Sequence, residues 1–507
     1  MDPQPAVERL KELDREIRVL LHAQSVLNWD QETQLPEAAI EERAEQLSAL
    51  EGIVHEKKTT AEIGDLLSDA GADSDNPGGE KTLESLDRAF LRQMYRQYQR
   101  STKLPAKLVT DLAKTASRAQ SIWQSARANA DFSVFAPHLK RLVDLRIEST
   151  EFLGYEEHPY DALLDEFEPW AKTSFVTEIF GSLRESLVPL AKEISEAPAV
   201  DDAVLKQHFP REGQEAFGRL LLDHMGFEFS RGRLDVSAHP FTDKLGRDDV
   251  RITTRYNENF LNSSVFGTIH EAGHALYELG FPKSIKDTIL GEGTSMGIHE
   301  SQSRLWENFI GRSLPFWRYF YPLLQQQFPG ELGEVSLEDY YRAINRVEPS
   351  LIRVEADEVT YSLHIIMRFN LEKKLITGEL AVEDLPDAWR DESRALLGPV
   401  PKNDADGVLQ DIHWSFGAFG YFPTYALGNL YAAQFHDSLR RSITDLDARL
   451  ESGDLTAVLS WLRSNVHAPG STRTAAEVCE EVTGAPLSAQ HFVRYLRDKY
   501  SDIYGLH

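Results

Sequence analysis

A chain of 507 residues can hold several domains or one large helical body, and 41% hydrophobic with 27% charged residues is ordinary for a soluble globular protein. Its formal charge of −27 repels phosphate backbones, which excludes nucleic acid as an expected partner. No apolar run approaches the ~18–20 residues needed to span a bilayer, so no membrane is expected either.

The start, Met1-Asp2-Pro3-Gln4-Pro5, lacks the basic flank and apolar stretch of a secretory signal. A single cysteine, Cys479, excludes an internal disulfide framework and suits a reducing compartment, so a cytoplasmic protein is expected. The polar stretch Gly71 to Gly79 predicts a loop that separates an N-terminal helical pair from the rest. Leu83, Leu86, Phe90, Met94 and Tyr98 then recur at spacings of three and four, as do Leu108, Leu112, Ala119 and Trp123 at helical intervals. Each set is one apolar stripe, and such stripes imply helices packed on helices. Strand-like alternation is scarce, and Val250 to Thr254 is its best candidate. The expected architecture is mostly α, a single domain over residues 1–507 with two helical lobes flanking a cleft.

His270-Glu271-Ala272-Gly273-His274 carries the sharpest chemistry. Histidines four apart on a helix lie one turn above each other, so both imidazoles can reach one cation with the intervening glutamate beside it. Asn262, Ser263 and Ser264 are candidate N-caps for that helix, and Val265, Ile269 and Leu276 give it apolar positions. Gly273 costs such a helix roughly 1 kcal/mol against alanine, tolerable if another element packs closely there. With 16 histidines in the chain a chance match has weight, so a third ligand is needed. Glu278, Glu292, Glu300 and Glu307 lie downstream. Glu278 points along the same strip without reaching the ion. Glu300 opens a second helical stretch that could cross the first and deliver its carboxylate, giving two histidines, one glutamate and an open position, the usual hydrolytic arrangement.

Further segments extend the pattern: Trp29-Asp30-Gln31-Glu32-Thr33, His239-Pro240-Phe241, Asp249-Val250-Arg251-Ile252-Thr253, His299-Glu300-Ser301-Gln302, Ile352 to Glu358 and Gly407 to Trp414. In this order they make the chain resemble the carboxypeptidase Taq family over nearly its whole length. The resemblance implies a large helical zincin-type fold with a deep active-site cleft, shared with neurolysin-like oligopeptidases. It implies a metallocarboxypeptidase, commonly a homodimer, acting on peptides with a free C-terminus. It also implies one divalent metal per chain, zinc or cobalt, held by His270, His274 and Glu300, with Glu271 as catalytic base. His413 and Tyr425, twelve residues apart, are then candidates for stabilising the oxyanion, with Tyr421 as rival tyrosine. A chain-end carboxylate calls for a fixed arginine. Arg353 leads and Arg251 is second, each open to a framework role through Asp357 or Asp249. His239 could bond substrate backbone or stabilise a turn. An oligopeptidase cutting internal bonds would use the same metal site, and a non-catalytic helical scaffold would leave the motifs unexplained.

Overall fold

The computed structural model describes residues 2–506. Among them run twenty-one α-helices and one three-stranded sheet, and one contiguous hydrophobic core extends from Ala6 to Tyr504. No helix among the described residues is long and apolar enough to cross a membrane. The long N-terminal helix, Gln4–Thr33, buries Val7, Leu10, Asp14 and Ile17, a stripe at spacings of three and four. Three helices, not two, precede the polar loop: Gln4–Thr33, Ile40–Lys58 and Ala61–Asp69. The stripe beyond the loop is trimmed at its start, because the helix runs Ser85–Lys103; Phe90 and Met94 are its buried centre, and Leu86 is exposed.

The sheet has β1 (Gly232–Val236), β2 (Thr242–Gly246) and β3 (Asp249–Thr254) in the order β1-β3-β2. β3 is central, parallel to β1 and antiparallel to β2, and contains the strand expected at Val250 to Thr254. Its inner residues Val250, Ile252, Thr253 and Thr254 are fully buried, because β3 lies against the histidine helix, Asn262–Gly280. The buried hydroxyl of Thr268 on that helix donates to Thr254 Oγ1 at 3.1 Å and ties the two together.

The histidine helix is buried on nearly every side, as a helix at the centre of a large core must be. Its entry differs from expectation. Leu261 precedes it with no side-chain cap, and the Ser264 hydroxyl turns instead to Gln214 Oε1 at 2.5 Å. The glutamate helix, Met296–Arg304, begins at Ser295, whose Oγ accepts from Ile298 N at 3.0 Å. The two helices meet at Gly273, where a Cβ would lie 2.6 Å from Ser303 Cα and 2.7 Å from Gln302 O. Only glycine permits that approach, which brings a carboxylate of one helix over the imidazoles of the other.

Candidate metal centre

His270 Nε2 and His274 Nε2 lie 3.7 and 3.4 Å from Glu300 Oε2, and the three ligand atoms fall within 4.8 Å of one another. Burial pushes the His274 imidazole down to about 3, so its lone pair is free. Burial also opposes protonation of His270, but Glu300 and Glu307 outweigh it and the pKa rises. Two imidazole nitrogens and one carboxylate oxygen, converging from two crossing helices, fit a divalent cation that keeps an open coordination position.

The surroundings aim those donors. Glu307 Oε2 sits 2.9 Å from His270 Nδ1, which makes that nitrogen the proton-bearing one and turns the Nε2 lone pair toward Glu300. Arg304 donates from Nε to Glu300 Oε1 at 2.7 Å and from Nη1 to Glu307 Oε2 at 3.3 Å, while Glu300 Oε2, which also accepts from the Ser303 hydroxyl at 3.1 Å, faces the histidines. Glu300, Arg304 and Glu307 follow one another at spacings of four and three residues, which share a helix face. From Leu305 to Gly311 the helix widens to a π-helix, a form concentrated at functional sites. Sequence reasoning weighed Glu307 only as a ligand and missed it as His270's partner; that spacing was the available signal. His274 is held by stacking on His299, ring centroids 4.5 Å apart, and its buried Nδ1 has no hydrogen-bond partner among the described residues. Glu278 is occupied by His299 Nε2 at 3.0 Å and Lys244 at 3.1 Å, away from the three donors.

Glu271, on the neighbouring face, is buried, with Oε2 2.7 Å from the Thr242 hydroxyl of β2. Burial pushes its pKa up, while His270 and Thr242 hold it down. His239 is exposed. The Ser237 hydroxyl donates to its carbonyl at 2.6 Å, and Pro240 beside it covers Gly267 on the histidine helix.

A second cluster lies mostly on irregular backbone, with Tyr425 in the first turns of the helix Pro423–Ser442. His413 Nε2 is 3.2 Å from the Tyr425 hydroxyl, and Tyr421 packs beside both rings. Burial pushes His413 down to about 4, so the ring is neutral near pH 7. Arg353 is buried over the Tyr425 ring at 5.1 Å; its Nε donates to Asp411 at 2.9 Å and its Nη1 to the Tyr361 hydroxyl at 3.2 Å. Nη2 makes no hydrogen bond among the described residues. Asp357, the neighbour expected in sequence, instead accepts from Val359, Thr360 and Glu348. The Tyr361 ring also lies under Arg304 at 4.4 Å, so this tyrosine, which nothing in the motif reading singled out, joins the two clusters. Arg251 is taken up bidentately by Asp249, at 2.9 and 2.8 Å, above the buried Trp29. Beside His270, Arg304, Glu307 and Tyr361 opens a cavity of about 690 Å³.

A family model described as carboxypeptidase Taq (M32) metallopeptidase matches residues 9–500. The thermostable carboxypeptidase 1 of Thermus thermophilus is 43% identical over 518 residues, covering 100% of both chains. Carboxypeptidase 1 of Bacillus subtilis is 38% identical, covering 96% of each. The crystal structure of an M32 carboxypeptidase from Deinococcus radiodurans R1 superposes with a TM-score of 0.95 at 38% identity, covering 99% of this chain and 100% of that one.

Proposed function

The chain belongs to the carboxypeptidase Taq (M32) family and is a metal-dependent carboxypeptidase of peptides, and we propose that His270, His274 and Glu300 hold its divalent cation. The observation that carries this assignment is the convergence of three donor atoms within 4.8 Å, with Glu307 behind one of them. One cation per chain, zinc or cobalt, suits the nitrogen-rich donor set. When bound, it polarises the scissile carbonyl and activates water.

Glu271 takes the water's proton on its carboxylate and delivers it to the leaving amine. The Thr242 hydroxyl fixes one oxygen of that carboxylate and leaves the other to face the reaction. The Tyr425 hydroxyl, held by neutral His413, donates to the oxyanion that develops on the substrate. Tyr421 is the alternative donor. Arg353 pairs with the substrate's terminal carboxylate through its free Nη2, and Asp411 holds the guanidinium in place. The bidentate bond to Asp249 supports a framework role for Arg251. His239, exposed near the histidine helix, is free to meet substrate backbone. The single continuous core supports one peptidase domain, and the lone buried cysteine, Cys479, accords with a reducing cytoplasm. A homodimer completes the reading and is measured by light scattering.

The deciding experiment compares a short peptide with its C-terminally amidated twin, following products by mass spectrometry. Stepwise loss of C-terminal residues from the free acid alone is the expected result. Equal cleavage of both, at internal bonds, would replace the chain-end reading with an oligopeptidase.

A further inference from the structure

Glu372 is fully buried on the helix Tyr361–Thr377 and has no salt-bridge partner among the described residues. Its carboxylate accepts three hydrogen bonds instead. Trp414 Nε1 donates to Oε1 at 2.7 Å, and the Gly420 backbone N–H and Tyr160 hydroxyl donate to Oε2 at 3.0 and 2.6 Å. Burying a carboxylate without a paired cation is costly, and the return is an acceptor for three donors that an apolar side chain would leave unsatisfied. What the group does therefore follows from where those donors sit.

Two of its three donors bracket one stretch of chain. Trp414 directly follows His413, and Gly420 directly precedes Tyr421. Between them the backbone makes a 3-10 turn, His413–Phe416, and passes through left-handed glycines at 417 and 420. Gly420, at φ +93°, is pressed so closely on Leu163 that a Cβ would meet its backbone at 2.6 Å. The backbone hydrogen bonds of this stretch are local, such as Gly417 N to Trp414 O and Ala418 N to His413 O, so side chains, Glu372 and Arg146 among them, tie it to the rest of the fold. One turn earlier on the same helix, Arg368 grips Asp411 at 2.6 Å, on the other side of His413. A single helix face thus pins the segment from both ends.

We infer that Glu372 is a positioning residue for peptide hydrolysis, setting the place of His413 and, through it, the Tyr425 hydroxyl. The inference rests on the reading of His413 and Tyr425 as the oxyanion-binding pair. Glu372→Gln tests it sharply. The amide offers one acceptor where two sides of the carboxylate face donors, so either the Trp414 indole or the Gly420 N–H loses its partner whichever way the amide turns.

The expected result is a roughly tenfold fall in kcat, part of what losing an oxyanion donor outright costs, with KM and zinc affinity within about twofold of native. Hydrogen exchange in peptides covering 413–421 should quicken. Tyr160→Phe removes the one donor outside the segment; it should lower thermal stability and keep kcat within about twofold. In a double-mutant cycle, adding Glu372→Gln to His413→Ala should cost no further kcat. Native kcat in Glu372→Gln, beside a large loss in His413→Ala, would overturn the positioning role and spare the oxyanion reading. Native kcat in both His413→Ala and Tyr425→Phe would overturn that reading itself. Should Glu372→Gln fail to fold, Trp414→Phe, which removes the indole donor and keeps an aromatic ring, decides: a kcat loss at constant KM supports the inference, and native kcat overturns it.

Discussion

The two clusters of the site are built in opposite ways. The three converging donors sit on regular helices, where the backbone's own hydrogen bonds fix each Cα and residue spacing fixes the face. In the second cluster Arg353 and His413 sit on short 3-10 turns and Tyr421 follows two left-handed glycines, while Tyr425 opens the helix Pro423–Ser442; the irregular part is held by buried carboxylates, Asp411 and Glu372. A helical site keeps its shape when one outer contact is lost, because the ladder remains. A loop site depends on each acceptor. The same helix, Tyr361–Thr377, serves both clusters: Tyr361 at its start lies under Arg304, and Arg368 and Glu372 hold the loop.

The largest effects should fall on the helical cluster, through its chemistry and not its fold. Dialysis against a chelator should abolish peptide hydrolysis, with zinc or cobalt restoring it and circular dichroism unchanged; full activity in verified metal-free protein would end the assignment. Glu271→Gln should keep metal content and cut kcat by about 10²–10⁴, the scale of a lost general base. Metal content by mass spectrometry separates that loss from the one in His270→Ala, where occupancy should fall too.

In the loop cluster, Arg353→Ala should cost about 2–5 kcal/mol in kcat/KM for free-acid peptides, the scale of a buried charge left unpaired. Amidated peptides should be little affected by it. Arg251→Ala should change neither ratio strongly, since its guanidinium is already committed to Asp249. Equal losses for acid and amide in Arg353→Ala would make Arg353 framework and blur the division between the clusters.

A smaller effect is expected one contact out from the metal donors. Glu307→Gln replaces a charged acceptor at His270 Nδ1 with an amide that can present either its oxygen or its NH2, so the tautomer that frees Nε2 is favoured less. Zinc affinity, read by competition with a fluorescent chelator, should weaken about 10–100-fold. An unchanged affinity would mean the helix alone orients His270.

The smallest effect is a pH dependence of stability. Burial pushes Glu372 from 4.5 up to about 7, against its three hydrogen bonds. The folded chain therefore holds this proton to higher pH than the unfolded chain does. Its contribution to stability is whole below 4.5 and is lost as pH rises to about 7. Glu372→Gln has no such proton, so its deficit in Tm against native should shrink between pH 5 and pH 8, on the order of 1–3 °C for a chain this long. A deficit that grows over that range would contradict the sign.

Sequence alone determined that the chain is mostly helical, because apolar stripes at spacings of three and four repeat along it, and that His270 and His274 share a face with Glu271 beside them. It also marked Glu300 as a carboxylate that a second helix could deliver, and Gly273 as a place for close packing. These are consequences of spacing within one element. Tertiary structure alone decided that Glu307 partners His270, that Tyr361 lies between the two clusters, and that Arg353 is held by Asp411 while Arg251 is absorbed by Asp249. It alone brought Glu372 to Trp414 and Gly420, more than forty residues away in sequence. A buried carboxylate's partners are chosen by which donors the fold leaves unsatisfied beside it, and no local spacing encodes that choice.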